Sequence, residues 1–80
     1  MPFGVLKIDR SFITDIVTDS VNRMLISAVI QYSKNSGLKV VAEGVETEEQ
    51  LALLKELKCD YIQGYLLGEP MPIDALPTQP

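Results

Sequence analysis

Apolar and polar side chains alternate with a period of two over Val5-Leu6-Lys7-Ile8-Asp9, just after Pro2 and Gly4, and this predicts a strand. Residues 10–18 (RSFITDIVT) show no clean period and read as a loop with a helical turn. A helical period takes over from Asp19: Val21, Met24, Leu25, Ala28, Val29 and Tyr32 fall at i, i+3, i+4, i+7, i+8 and i+11. That stripe predicts a helix over 20–35, capped by Asp19 or Ser20 and closed by Gly37 as its left-handed residue. Lys39-Val40-Val41-Ala42-Glu43, bounded by Gly37 and Gly44, reads as a second strand. Thr47 followed three residues later by Gln50 is a capping-box pattern, with Glu48 and Glu49 suiting the first-turn dipole. Leu51, Leu54 and Leu57 then mark the buried face of a helix over 48–57. Tyr61-Ile62-Gln63 is a brief third strand that leads through Gly64 into a Gly- and Pro-containing loop, and LPTQP at the end reads as a frayed tail.

The order β-α-β-α-β predicts an α/β fold: three parallel strands, right-handed crossovers, and both helices on one side of a sheet ordered 1-2-3. Strand alternation assigns Leu6, Ile8, Val40, Ala42 and Ile62 to the helix-covered face. The opposite face takes Val5, Lys7, Asp9, Val41, Glu43, Tyr61 and Gln63, and leaves Val5, Val41 and Tyr61 without cover from the chain itself. An ammonium, two carboxylates and a carboxamide thus gather at the C-terminal strand ends, where parallel α/β folds build sites. Singly, each has a plain structural use: a Lys7–Asp9 ion pair on an edge strand, Glu43 at the turn into Gly44, Gln63 on stray backbone groups. Together they suit a hard divalent cation and its water, although one or two carboxylates are too few to hold Mg²⁺ or Mn²⁺ without a substrate phosphate.

Composition narrows the chemistry. With 7 Lys and Arg against 11 Asp and Glu, the net charge of −4 argues against a nucleic-acid polymer as partner. One cysteine and no histidine exclude an internal disulfide, a Ser-His-Asp or Cys-His site, and nearly all ligands of a structural zinc. No apolar run approaches the roughly 18 residues of a membrane span and no signal-peptide pattern opens the chain, so a cytoplasmic protein without membrane contact is expected. Eighty residues are few to close a core, and such small domains hide only about 60% of their unfolded surface.

LKIDRSF (Leu6 to Phe12), VVAEGVET (Val40 to Thr47) and Cys59-Asp60 with Gln63-Gly64-Tyr65 together resemble the last third of an EAL domain. The resemblance spans residues 1 to about 72, leaving 73–80 as a C-terminal tail. It implies a TIM-like barrel that hydrolyses the bacterial second messenger cyclic di-GMP with two Mg²⁺ or Mn²⁺ ions. It further implies that Lys7 holds the nucleophilic water, Gln63 lies near that water and Glu43 binds the second metal. Asp9 ends its strand and Glu46 braces the loop over the site. The Glu-Ala-Leu motif, the metal-binding asparagine, the next glutamate and the Asp-Asp-Phe-Gly loop of the family have no counterpart in these 80 residues. Two local departures are Gly4, often Asp in the family, and Lys58, usually Gly and here expected to carry φ > 0.

A barrel needs about 250 residues, so the expected architecture is a partial barrel completed by oligomerisation, most simply as a two-fold dimer. The expected function is that of a C-terminal fragment of a cyclic di-GMP phosphodiesterase, inactive alone and holding metal weakly. The alternatives are a self-associating or regulatory module of cyclic di-GMP signalling, or a truncated product without function.

Overall fold

The computed structural model describes residues 4–64 and 70–75. Four strands form one sheet in chain order: β1 (Val5–Ile8), β2 (Lys39–Val45), β3 (Tyr61–Gly64) and β4 (Met71–Pro72). β1, β2 and β3 are parallel, in the expected order. The fourth strand was not expected: β4 pairs antiparallel with β3, Tyr61 opposite Pro72 and Ile62 opposite Met71. Two residues around a proline carry too little alternation to register as a strand in the sequence.

Three α-helices connect the strands: α1 (Arg10–Thr14), α2 (Ser20–Asn35) and α3 (Glu48–Glu56). The five residues of α1 are the helical turn expected within 10–18. Its Ile13, and Ile16 just beyond it, are fully buried. Asp19 caps α2 by accepting from the Val21 and Asn22 amides. The capping box of α3 is complete: the Thr47 hydroxyl accepts from Gln50 N at 3.1 Å, and Gln50 Oε1 accepts from Thr47 N at 3.2 Å. Gln50 also accepts from Glu46 N at 2.7 Å and donates to Ile13 O, so this buried amide ties α3 to α1.

One core unites Ile8, Val40, Ala42, Val45 and Ile62 of the sheet with Ile26 and Ile30 of α2 and Leu51 and Leu54 of α3. Both helices therefore cover the same sheet face. Ile73, in a 3₁₀ turn over Ile73–Ala75, joins the core, so the expected tail over 73–80 begins with a buried residue. The LPTQP end and Tyr65 lie outside the described residues.

The buried stripe of α2 is not the expected one. Val21 (74% exposed), Met24 (71%), Leu25 and Tyr32 (63%) face outward. Ile26, Ile30 and Ser33 face the sheet, with Asn22 and Val29 half-buried beside them. Both sets follow the same spacing, one residue apart, so the helix is turned by about 100° from the expected setting. Periodicity could not choose between two apolar stripes. Packing selects the β-branched Ile26 and Ile30, and the Ser33 hydroxyl is satisfied within the helix by Val29 O at 2.9 Å.

On the opposite sheet face, Val5 is exposed and Tyr61 half-buried, but Val41 is only 4% exposed. It sits on the central strand, with Lys7 and Tyr61 in register on either side. Neighbours less than 5 Å away leave a valine there little open surface.

Candidate functional site

The site lies where β1, β2 and β3 end. Parallel pairing brings Lys7 beside Val41 and Ala42 beside Ile62. Beyond that point the register of β2 and β3 shifts, and Val45 rather than Gly44 pairs with Gly64. Glu43 and Gly44 together thus oppose Gln63, a β-bulge of the kind that re-aims side chains beside sites. The extra residue lets Glu43 stay on the open face while Val45 returns to the helix-side core. Gly44 makes the bulge possible, with φ at +77°, a region that L side chains rarely adopt.

A cleft of about 340 Å³ opens at the bulge, lined by Arg10, Glu43, Gly44, Gln63 and Gly64. Lys7 approaches from the side, its Nζ 3.8 Å from Glu43 Oε2. Such an exposed, loosely closed pair contributes only about 0–1 kcal/mol, so its meaning is positional. Three of the expected site residues, Lys7, Glu43 and Gln63, are brought together.

Asp9 and Glu46 are not among the residues lining the cleft. The expected Lys7–Asp9 pair is absent among the described residues, because the chain leaves β1 at Ile8 and Asp9 becomes the N-cap of α1. Its carboxylate accepts from Ser11 N at 3.1 Å and Ser11 Oγ at 2.8 Å, and these bonds hold its pKa below the ordinary 3.8. Glu46 is exposed on the turn before α3, where its backbone amide binds Gln50.

Arg10 enters the sequence reading only as part of the LKIDRSF motif and the loop over 10–18. It follows the Asp that ends the LKID run, and only the turn into α1 swings its side chain towards the β2 bulge. A Cβ on Gly44 would lie 2.7 Å from Arg10 Cβ and Cγ, so the arginine stem rests directly against that glycine.

The donor set is thin for a hard divalent cation, which takes six or more oxygens, largely carboxylate and water. Among the described residues Glu43 is the one carboxylate lining the cleft. Among the described residues no three acidic or cysteine side chains come together to hold a metal. These residues do not by themselves amount to a Mg²⁺ or Mn²⁺ site.

The described surface also holds an apolar groove of about 360 Å³ between β1 and α2, lined in part by Leu6, Phe12, Leu25 and Val29. No described helix is long and apolar enough to cross a membrane.

The EAL domain family model matches residues 1–70. The chain belongs to the EAL domain family. It is 46% identical over 76 residues to the bifunctional diguanylate cyclase/cyclic di-GMP phosphodiesterase MucR of Pseudomonas aeruginosa, covering 95% of this chain and 11% of MucR. Against the cyclic di-GMP phosphodiesterase NbdA of the same organism it is 47% identical over 76 residues, 95% of this chain and 10% of NbdA. Among solved structures, the MucR phosphodiesterase in complex with c-di-GMP aligns with a TM-score of 0.76 at 45% identity, over 94% of this chain and 30% of that one. An EAL domain protein from Listeria monocytogenes aligns at 0.77 and 40% identity, with the same coverages. The chain spans about a tenth of the length of the curated relatives it matches. Its α/β fold with a mostly parallel sheet thus corresponds to part of an EAL domain.

Proposed function

We propose that this chain carries one edge of a cyclic di-GMP phosphodiesterase site and is catalytically silent by itself. The observation that carries the reading is the meeting of Glu43 and Gln63 in one cleft with Lys7 paired to Glu43, at the ends of three adjacent strands. The Lys7 ammonium and the Gln63 carboxamide orient the attacking water. Glu43 is the chain's own ligand for a Mg²⁺ or Mn²⁺ ion, and Asp9 and Glu46 shape the strand end and the turn around it. The remaining ligands of an intact domain must come from other residues, since one carboxylate cannot hold such an ion and polarise a phosphodiester. Degradation of a bacterial second messenger sets this work in the cytoplasm.

Incubation of the purified chain with cyclic di-GMP and Mn²⁺ tests the reading. No linear dinucleotide is expected, and Mn²⁺ titration by calorimetry should show affinity weaker than micromolar. Product that scales with the chain and disappears in Glu43→Ala would overturn the silence.

A second reading is favoured by the outer face of α2: the chain self-associates as a two-fold dimer. Val21, Met24, Leu25 and Tyr32 are exposed there. The two charged residues of the helix are engaged elsewhere, Arg23 on Ile16 O and Val17 O and Lys34 on Asp60. A long helix with an uncharged, largely apolar outer face resembles an interface more than a solvated surface. β1 beside it has no strand on its outer side among the described residues, so one two-fold operation could join both features. In that form the chain acts as an interaction module of cyclic di-GMP signalling. Light scattering should give twice the chain mass at micromolar concentration and a single mass for Leu25→Lys. A monomer whose melting temperature ignores concentration would refute it.

A further inference from the structure

The Glu43–Gln63 cleft has a cation on its wall for which the proposed water-orienting and metal-binding roles have no use. Arg10 is the first residue of α1, and its stem is pressed against Gly44 at the bulge, which fixes where the side chain leaves the backbone. Its guanidinium makes no hydrogen bond or ion pair among the described residues. The other arginine, Arg23, is fully employed, donating to Ile16 O at 3.1 Å and Val17 O at 3.0 Å. Asp9, the neighbouring residue, is capped onto Ser11, and the charge of Arg10 adds only the least of the influences that lower its pKa, while Glu43 on the same cleft stands 3.8 Å from Lys7. A fork of N–H donors held at a cleft, with no hydrogen-bond acceptor among the described residues, is matched in shape to a phosphate, which accepts two parallel bonds from it.

We propose that Arg10 is a phosphate-binding residue of this cleft, its guanidinium gripping non-bridging oxygens of a phosphodiester or of the terminal phosphate left after cleavage. This rests on the cyclic di-GMP reading for the identity of the ligand but not for the anion chemistry. Arg10 is a positioning residue for substrate and leaves the activation of water to Lys7 and Gln63. The terminal monoester carries more negative charge than the diester, so a linear dinucleotide with a 5′-phosphate binds through Arg10 more tightly than the cyclic one.

The test is a nuclear magnetic resonance titration of the full chain, following the arginine side-chain Nε–H signals and the backbone amides. Inorganic phosphate is added against sodium chloride of equal ionic strength. The Arg10 Nε–H and the Gly44 and Gly64 amides should move together and saturate while the Arg23 signal stays still. Arg10→Gln should abolish the saturable shifts without altering the thermal melt, since the side chain is exposed. Arg10→Lys should weaken binding by about tenfold, the loss of a bidentate contact. Shifts that persist in Arg10→Gln, or that centre on Lys7, overturn the assignment. A second arm adds cyclic di-GMP and its linear product. If phosphate binds at Arg10 but neither dinucleotide displaces it, the anion site stands and the phosphodiesterase reading falls. If the dinucleotides move Glu43 and Gln63 but not Arg10, that reading stands and Arg10 is excluded.

Discussion

Replacing Lys58 with glycine should stabilise the chain, and the structure contains its own reference for how much. Both long helices end in the same way. After α2, the Gly37 amide bonds Lys34 O and the Leu38 amide bonds Ser33 O. After α3, the Lys58 amide bonds Lys55 O at 3.1 Å and the Cys59 amide bonds Leu54 O at 3.0 Å. This double bond pattern is the Schellman motif, and it requires its first non-helical residue in the left-handed region. Gly37 holds that position with φ at +77°, whereas Lys58 holds it with φ at +72°. An L residue there costs roughly 1–2 kcal/mol. Glycine removes that cost but gives back roughly 0.5–1 kcal/mol through the larger freedom of its unfolded chain. The net gain is about 0–1.5 kcal/mol, and its middle value, at roughly 4–8 °C per kcal/mol for a domain of this size, raises Tm by about 3–6 °C. Lys58 also lines a small pocket with Lys34, Lys55 and Asp60, so the substitution changes charge as well as backbone. Lys58→Ala isolates the charge, since it keeps the left-handed strain. Urea unfolding of the three proteins at one fixed concentration reads the difference. Lys58→Gly should exceed Lys58→Ala in midpoint, and equal midpoints would refute the backbone argument.

Other expectations follow from single contacts. Gly44→Ala puts a Cβ 2.7 Å from the Arg10 stem at φ +77°, and should cost about 1–3 kcal/mol and shift the Arg10 resonances. Asp60→Ala should cost about 1–3 kcal/mol by calorimetric melting, because Asp60 Oδ2 accepts at 2.9 Å from the amide of fully buried Val40; Asp60→Asn, which keeps the acceptor, should cost less. Burial pushes the Cys59 thiol up to about 11, so the folded chain should resist alkylation at pH 8 and react in urea. The unfolded thiol ionises first, near 9, so that contribution to stability is intact below pH 9 and falls away towards 11. For Asp9 the sign is opposite. Its depressed folded pKa adds stability above about 3.8 that is lost as pH falls through the folded value, and Asp9→Asn should flatten this part of the melting profile.

What could be read without coordinates depended on whether neighbouring interactions were local. The three parallel strands, to within a residue or two at their ends, the Asp19 cap, the Thr47–Gln50 box and the left-handed Lys58 are decided within a few residues, and each stands in the structure where expected. Gly4 is also legible in hindsight: the space a side chain would take is filled by Leu38 Cδ2, 2.6 Å from a Cβ built there. The rotation of α2 was not legible, because Ile26 and Ile30 compete with Met24 and Leu25 on equal hydrophobic terms and only the shape of the sheet decides. Arg10 escaped for a related reason. Its role depends on a bulge formed more than thirty residues later, and a bulge leaves no signature in alternation beyond one glycine. Asp9 shows the converse error, since alternation carried it onto the open face one residue after the strand had ended.

The two rims of the sheet differ in kind. β4 closes one of them with two residues, of which Pro72 has no amide proton to offer, and Pro70 precedes it. The β1 rim carries an ordinary backbone with both donors and acceptors. A sheet with two receptive rims can add copies head to tail without limit, and fibres begin that way. A sheet blocked on one side can only join rim to rim, and that joining uses up the one receptive edge that the described residues of each copy offer. The prolines at the far side thus bear on whether this chain, at high concentration, forms a finite particle or a precipitate.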